Sequence, residues 1–287
     1  MRYILIILFT IFAFSSNYEV IESFEEPNIL LKPKRVLKTT KTIKIKPKTN
    51  TKLISKETDT INKKVPIQNN YKNKRPKLVI IMDDITHQYQ LNKLKALPFK
   101  VTPSIFPPNK MNMNSHLIAK NLQHYMVHLP LESDSRALNR MHKTLFVRDS
   151  NKKIRARVAE IKRLFPNVKF LNNHTGSIFS QNYTKSKVLY KALLDNGIIF
   201  LDSRTSKRTK FKKIAKEFNR RYLHNDLFID NKLNVNYTLN QLKRAVLIAK
   251  KKGYAIVIGH PHNTTIKALK MAKNILKEVQ VVYIDEL

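Results

Sequence analysis

The sequence predicts a parallel α/β fold: a (β/α) barrel, distorted or incomplete, with seven to eight strands, for which an open α/β sheet is the alternative. Three observations predict it. From Lys77 onward, short apolar runs alternate with amphipathic helical patterns and no long break interrupts them. The runs are apolar on both faces, which suits parallel strands covered on each side. Seven or eight such units in ~210 residues match the size of a barrel domain.

The strands are expected at Leu78–Asp84, Lys100–Phe106, Tyr125–Leu129, Val168–Asn172, Ile198–Asp202, Tyr222–Asp230 (interrupted), Ala255–Gly259 and Gln280–Ile284. Helical patterns cover Asn151–Phe165, Lys185–Asn196, Leu239–Lys252 and Ile266–Lys277. Ser150, Thr184, Thr238 and Thr265 stand where side-chain N-caps are wanted, and Gly197 and Gly253 sit just past helix ends, where a left-handed residue is favoured.

Two appendages precede this domain. Residues 1–16 hold one Arg and then an apolar run from Tyr3 to Phe14. At ~1.5 Å per residue that run is shorter than a bilayer core, so it reads as a signal peptide or an N-terminal membrane anchor. Residues 17–76 read as a basic disordered linker. Between Leu31 and Lys77 there are 16 basic residues against only Glu57 and Asp59, too much repulsion and too little apolar surface for a core. Such a tether suits weak contact with an anionic polymer or membrane surface, and the localisation implied is the periplasm or the outer face of the cytoplasmic membrane. The folded domain is then 77–287.

The 287 residues carry 55 Lys+Arg and 20 Asp+Glu, a net charge of +35. Lys outnumbers Arg 41 to 14 and the excess is spread along the chain, whereas nucleic-acid recognition favours the Arg fork and an aromatic platform. No nucleic-acid partner is expected. The chain has no Cys, which excludes disulfides, thiolate metal sites and a cysteine nucleophile. Any metal must sit on His, Asp or Glu.

In a parallel α/β fold the chemistry belongs at the carboxyl ends of the strands. The polar residues there are Asp83 and Asp84, His128 and Glu132, Asn172, Asn173 and His174, Asp202 and Arg204, Asp230, and His260 and His262. The other five histidines, His87, His116, His124, His142 and His224, do not line up with a strand end. Imidazoles and carboxylates converging on one rim are what a divalent site without thiolates requires. Only four glycines occur, and the two not needed as helix caps, Gly176 in NNHTGS and Gly259 in IGHPH, stand beside candidate histidines.

The series IMDD (81–84), VTPSIFP (101–107), MVHLPLE (126–132), NNHTGS (172–177), FLDSRT (200–205), LFID (227–230) and IGHPH (258–262), in this order, resembles the divergent polysaccharide deacetylase family. The resemblance covers 77–287 and implies an exported, metal-dependent carbohydrate deacetylase that hydrolyses acetyl groups on an envelope glycan, an acetylated polysaccharide or peptidoglycan. Its cofactor would be a divalent metal, zinc for preference. By that resemblance Asp83 is the catalytic base and His260 the acid. Asp84 and His128 are metal ligands, and His174 replaces the imidazole expected at the position of Glu132. The arginine-proline substrate motif of better-studied deacetylases is replaced by NNHTGS. Glu132, Asn173, Thr175, Gly176, Asp202, Arg204, Asp230 and His262 are candidates for sugar contact or for orienting the histidines. Backbone N–H groups near Thr175 and Gly176 are candidates for oxyanion stabilisation. For Arg204 a salt bridge to Asp202 or Asp230 is the structural alternative. A catalytically inactive glycan-binding or scaffold protein on the same barrel is the functional alternative.

Overall fold

The computed structural model describes residues 75–287. The expected leader, and all but the last two residues of the expected linker, lie outside the described residues. Nine parallel strands form one sheet: β1 (Lys77–Ile85), β2 (Thr102–Ile105), β3 (Met126–Leu131), β4 (Phe170–Thr175), β5 (Ile199–Asp202), β6 (Leu223–His224), β7 (Leu227–Phe228), β8 (Tyr254–Gly259) and β9 (Gln280–Val282). Their order is β6-β5-β4-β3-β2-β1-β8-β7. One edge of β1 is shared, with β9 beside Lys77–Val79 and β2 beside Ile81–Ile85, while β8 lies along the other.

The interrupted segment expected over 222–230 is two strands, which raises the count from eight to nine. Its first part pairs with β5 (Leu201 with Leu223) and its second with β8 (Leu227 with Val257). Asn225 and Asp226 make the crossing: Asn225 N–H donates to the Asp202 carbonyl at 2.9 Å, and Asp226 N–H donates to the Ile256 carbonyl at 2.8 Å. The two ends of the sheet are therefore pieces of one segment, and β5 and β8 are joined only through it. This is the distorted, incomplete barrel that the sequence predicts.

Alternation along the strands sorts the core into two layers. Val79 and Ile81, Met126, Phe170, Leu201, Ile256 and Ile258 form the barrel interior, closed at its base by Val282 and Ile284. Leu78, Ile80 and Met82 face outward with Val127, Leu129 and Leu171, against a shell of helices. Each such fully buried aliphatic side chain stabilises the fold by about 1.5–3 kcal/mol relative to exposure.

The helices are α1 (Gln88–Lys95), α2 (Arg136–Met141), α3 (Asn151–Leu164), α4 (Tyr183–Asp195), α5 (Phe211–Glu217), α6 (Val235–Lys252), α7 (Asn263–Met271) and α8 (Lys273–Leu276). In α3, Ser150 accepts from Lys153 N–H as expected, and Ile154, Val158 and Ile161 are buried at helical spacing. The other three expected caps are corrected. Asn182 caps α4, accepting from Lys185 N–H at 3.0 Å, and Asn234 caps α6, accepting from Tyr237 N–H at 3.0 Å. The Thr238 hydroxyl instead donates to the Asn234 carbonyl, and that of Thr265 donates to Asp230 Oδ2 at 2.9 Å. The Ile266–Lys277 pattern is broken at Ala272 into α7 and α8. Gly197 and Gly253 adopt φ of 67° and 85°, as their positions require.

Candidate metal centre

The upper layer of the barrel interior is polar. It continues the inward parity of β1, β3 and β4 through Asp83, His128, Asn172 and His174. Pairing of β3 with β4 runs on to Leu131 and Thr175, so His128, Asn172 and His174 lie within strands rather than past their ends. Rigid strands thus position these groups. The ladder register between β1 and β2 slips between Met82 and Ile85, and Asp84 takes φ of 59°. This irregularity re-aims the side chain, so two neighbouring carboxylates that alternation would send to opposite faces both serve one centre.

Three atoms converge there. Asp84 Oδ1 lies 3.3 Å from His128 Nε2 and 3.3 Å from His174 Nδ1, and the two nitrogens are 3.2 Å apart. Nitrogen and oxygen ligands held about 2.0–2.2 Å from a tetrahedral ion lie about 3.3–3.6 Å from one another. Asp84, His128 and His174 therefore form a group that could hold a metal ion. Asp84 Oδ1 and His174 Nε2 are buried without a hydrogen-bond partner, and an ion would satisfy the first. The Asp84 carboxyl would be raised by burial, but the imidazoles of His128 and His174 hold it well below the usual carboxylate range. Burial pushes His174 down, toward the neutral form that ligates. Burial also opposes charge on His128, yet the Asp83 and Asp84 charges more than offset it and raise this group.

Asn172 organises the layer beneath and is fully buried. Its Nδ2 donates to Asp83 Oδ1 at 2.9 Å and Oδ2 at 3.1 Å, and to Ser203 Oγ at 3.2 Å. Its Oδ1 accepts from Ser104 Oγ at 2.7 Å and lies 2.9 Å from His128 Nδ1. With Nδ1–H donating there, Nε2 of His128 is left as the ligating nitrogen. Burial raises the Asp83 carboxyl above its ordinary range, only partly countered by His128, His260 and Asn172. Asn172 is among the strand-end polar residues expected from the sequence, which points to Asn173 for the orienting role that Asn172 fills. The period-two reading that pairs Asn172 with His174 on one face would have found it.

On the β8 side His260 Nε2 lies 4.0 Å from Asp84 Oδ2. Asp230 holds this imidazole from behind: Oδ2 accepts from His260 N–H at 2.6 Å, and Oδ1 lies 3.1 Å from His260 Nδ1. Burial alone would lower His260, but the hydrogen bond to Asp230 and the charges of Asp84, Asp230 and Asp83 raise it to about 9. Gly259 is required here because a Cβ would meet Ile229 Cγ1 at 2.8 Å and Asp230 Oδ2 at 3.3 Å. Asp230, His260 and the exposed His262 also offer three clustered ligand-type atoms, but both Asp230 oxygens are already engaged.

The remaining expected residues brace loops. Glu132 Oε2 accepts from Val147 N–H at 2.7 Å. Asn173 Oδ1 accepts from Ser203 N–H at 3.0 Å, and its Nδ2 donates to the Thr175 carbonyl. Asp202 accepts from Arg204 N–H, Thr209 Oγ1 and Tyr222 Oη, each at 2.8 Å. Thr175 Oγ1 donates to the Leu131 carbonyl at 2.8 Å. Gly176 adopts φ of 97°, and a Cβ there would meet Leu131 Cβ at 3.0 Å. Arg204 is exposed, adopts φ of 56°, and forms no salt bridge to Asp202 or Asp230 among the described residues.

The structure adds His142 to the surroundings of the centre. Its ring stacks on Phe106 with centroids 4.5 Å apart and meets the His174 ring at 5.3 Å. Phe106 also packs edge-on against His128 and His174, at 5.1 and 4.8 Å. Burial, with the nearby His174, depresses His142 to about 4 and keeps it neutral.

An uncharacterized protein of Haemophilus influenzae is 29% identical over 209 residues, spanning 72% of this chain and 74% of that protein. The uncharacterized protein YibQ of Escherichia coli is 26% identical over 209 residues, spanning 72% of this chain and 65% of that protein. The crystal structure of the uncharacterized protein ATU2773 from Agrobacterium tumefaciens shares the fold, with a TM-score of 0.63 at 18% identity, covering 74% of this chain and 88% of that one. The sequence model for divergent polysaccharide deacetylases matches residues 80–287; with that match, and with an Asp-His-His group set in a parallel barrel, the chain belongs to the divergent polysaccharide deacetylase family.

Proposed function

We infer that this protein is an exported, metal-dependent hydrolase that removes acetyl groups from an N-acetylated envelope glycan, with zinc as the preferred ion. The observation that carries the reading is the triangle of Asp84 Oδ1, His128 Nε2 and His174 Nδ1, with sides of 3.2–3.3 Å, set between a second carboxylate and a raised imidazole. Asp84, His128 and His174 would hold the ion. When bound, it supplies Lewis-acid polarisation of a carbonyl and makes water more acidic. Asp83 is placed to take the proton of the attacking water, because a carboxylate raised by burial is a stronger base than one in solvent. His260, raised to about 9, carries a proton at neutral pH and gives it to the departing amine nitrogen. Water and amide are consumed, and acetate and a free amine are formed.

The test is release of acetate from N-acetylglucosamine oligomers by protein carrying one ion per chain, lost on chelation and restored by zinc. Protein that takes up the ion and binds the oligomers but releases no acetate would instead be a binding module. A second outcome follows from Asp230. Asp230→Asn sets an amide against His260 Nδ1, removing the acceptor that raises this imidazole. A group that acts in its protonated form loses activity as pH rises through its pKa. The alkaline limb of kcat/KM should therefore move to lower pH by about one unit or more. An unmoved limb would remove His260 from the role of acid.

A further inference from the structure

A cavity of about 520 Å³ lies across His142 from the metal centre, within the ~300–1,000 Å³ range of small-ligand sites. None of the residues assigned above uses it. Asn109 on its wall is 9% exposed. Asn109 Oδ1 accepts from the backbone N–H groups of Met111 at 2.8 Å and Asn112 at 3.2 Å, which fixes the orientation of the amide. Nδ2 is left buried with no acceptor. His142, which shares its wall with Phe106 and His174, also buries Nδ1 without a partner.

Cations surround these two neutral groups. Lys110, Arg140 and Lys143 are exposed around the opening. The one carboxylate on the wall, Glu160, already accepts from Lys143 Nζ at 2.7 Å and Arg157 Nη1 at 2.8 Å. Lys110 and Arg140 pair with no carboxylate among the described residues. The cavity wall therefore carries two uncompensated cations over a buried, unanswered amide donor, beside the apolar surface of Pro108 and Met113. Unanswered buried donors are costly, and a charged acceptor answers them best.

We propose that this cavity is a binding subsite for a sugar carboxylate, on the residue next to the N-acetyl sugar presented to the metal centre. The subsite deepens the deacetylase reading and rests on it for the placement of that neighbouring sugar. Exposed cations around a buried amide donor suit a singly charged, planar acceptor on an otherwise neutral ring. A uronic acid and a lactyl ether are two sugar types that carry such a group.

The experiment is calorimetric titration of the full, zinc-loaded chain with three tetrasaccharides. One is a neutral N-acetylglucosamine oligomer, one alternates N-acetylglucosamine with glucuronate, and one alternates N-acetylglucosamine with N-acetylmuramic acid. At least one acidic oligomer should bind about tenfold more tightly than the neutral one, the effect of one charge-assisted hydrogen bond. The arm that gains identifies the source of the carboxylate. Asn109→Asp keeps the acceptor for Met111 and Asn112 and turns the orphan donor into a like charge. Arg140→Gln changes an exposed side chain and tests the subsite if the first variant fails to fold. Each should bring the acidic-to-neutral affinity ratio back toward one. Equal affinity for all three oligomers, or a ratio untouched by the variants that fold, overturns the subsite. Acetate measured in the same mixtures separates the two claims: acetate without acidic preference removes the subsite alone, and acidic preference without acetate supports the subsite while removing the reaction.

Discussion

His128→Ala is expected to abolish stoichiometric metal binding. This imidazole is only 2% exposed and contributes one corner of the Asp84–His128–His174 triangle. Two remaining ligands on separate strands leave an ion two-coordinate apart from solvent. The loss in affinity should exceed the roughly 10–100-fold that follows removal of a group merely orienting a ligand. The fold should survive, because Asn172 Oδ1 keeps its bond from Ser104. Loss of the one buried hydrogen bond to His128 costs about 1–3 kcal/mol. Elemental analysis beside a thermal melt reads both quantities. A well-folded variant that still carries one ion per chain would remove this triangle from metal binding.

The second large effect is kinetic. Asp83→Asn should retain the ion, since Asp83 is not one of the three converging groups, while acetate release falls about 10²–10⁴-fold, the usual contribution of a positioned base. The substitution is nearly isosteric, but it sets an amide against the Asn172 Nδ2 that now donates to both carboxylate oxygens. A moderate loss of stability is therefore expected alongside, and the metal-to-protein ratio separates the chemical defect from a folding defect. An Asp83→Asn protein with full metal and undiminished acetate release would exclude Asp83 as the proton acceptor.

The barrel was legible in the sequence because its strands are short, doubly apolar and alternate with helical patterns. The members of the converging group were legible because, with no cysteine, ligand chemistry is confined to a few side-chain types. What escaped depends on geometry that composition does not encode. Asp84, Thr175, Arg204 and Asn219 take positive φ without being glycine, so nothing in their identity announces the turns they make. Asn172 and Asn173 are the same residue type side by side, and only the inward parity of β4 separates the organiser of the site from a brace for the next loop. His142 reaches the site from the chain following α2, held by a stack on Phe106 36 positions earlier, a tertiary contact that leaves no local pattern. The threonine caps failed because α4 and α6 begin earlier than their apolar patterns suggest, which puts Thr184 and Thr238 inside the helices, and because the Thr265 hydroxyl is engaged by Asp230.

The division of the sheet has a consequence for how the molecule comes to be. Asp84, His128 and His174 all belong to β1, β3 and β4, which pair through β2 with near neighbours in the chain. Asp230 and His260 arrive with the closing segment and β8, and β8 must find β1 across most of the domain, Tyr254 against Lys77. Contacts of short loop length form ahead of those of long loop length. The half of the centre proposed to grip an ion can therefore assemble while the half proposed to supply the proton is still unfolded or unsynthesised. An ion captured at that stage would stabilise the nascent four-strand sheet by its own binding free energy, and metal supply would then act on folding yield.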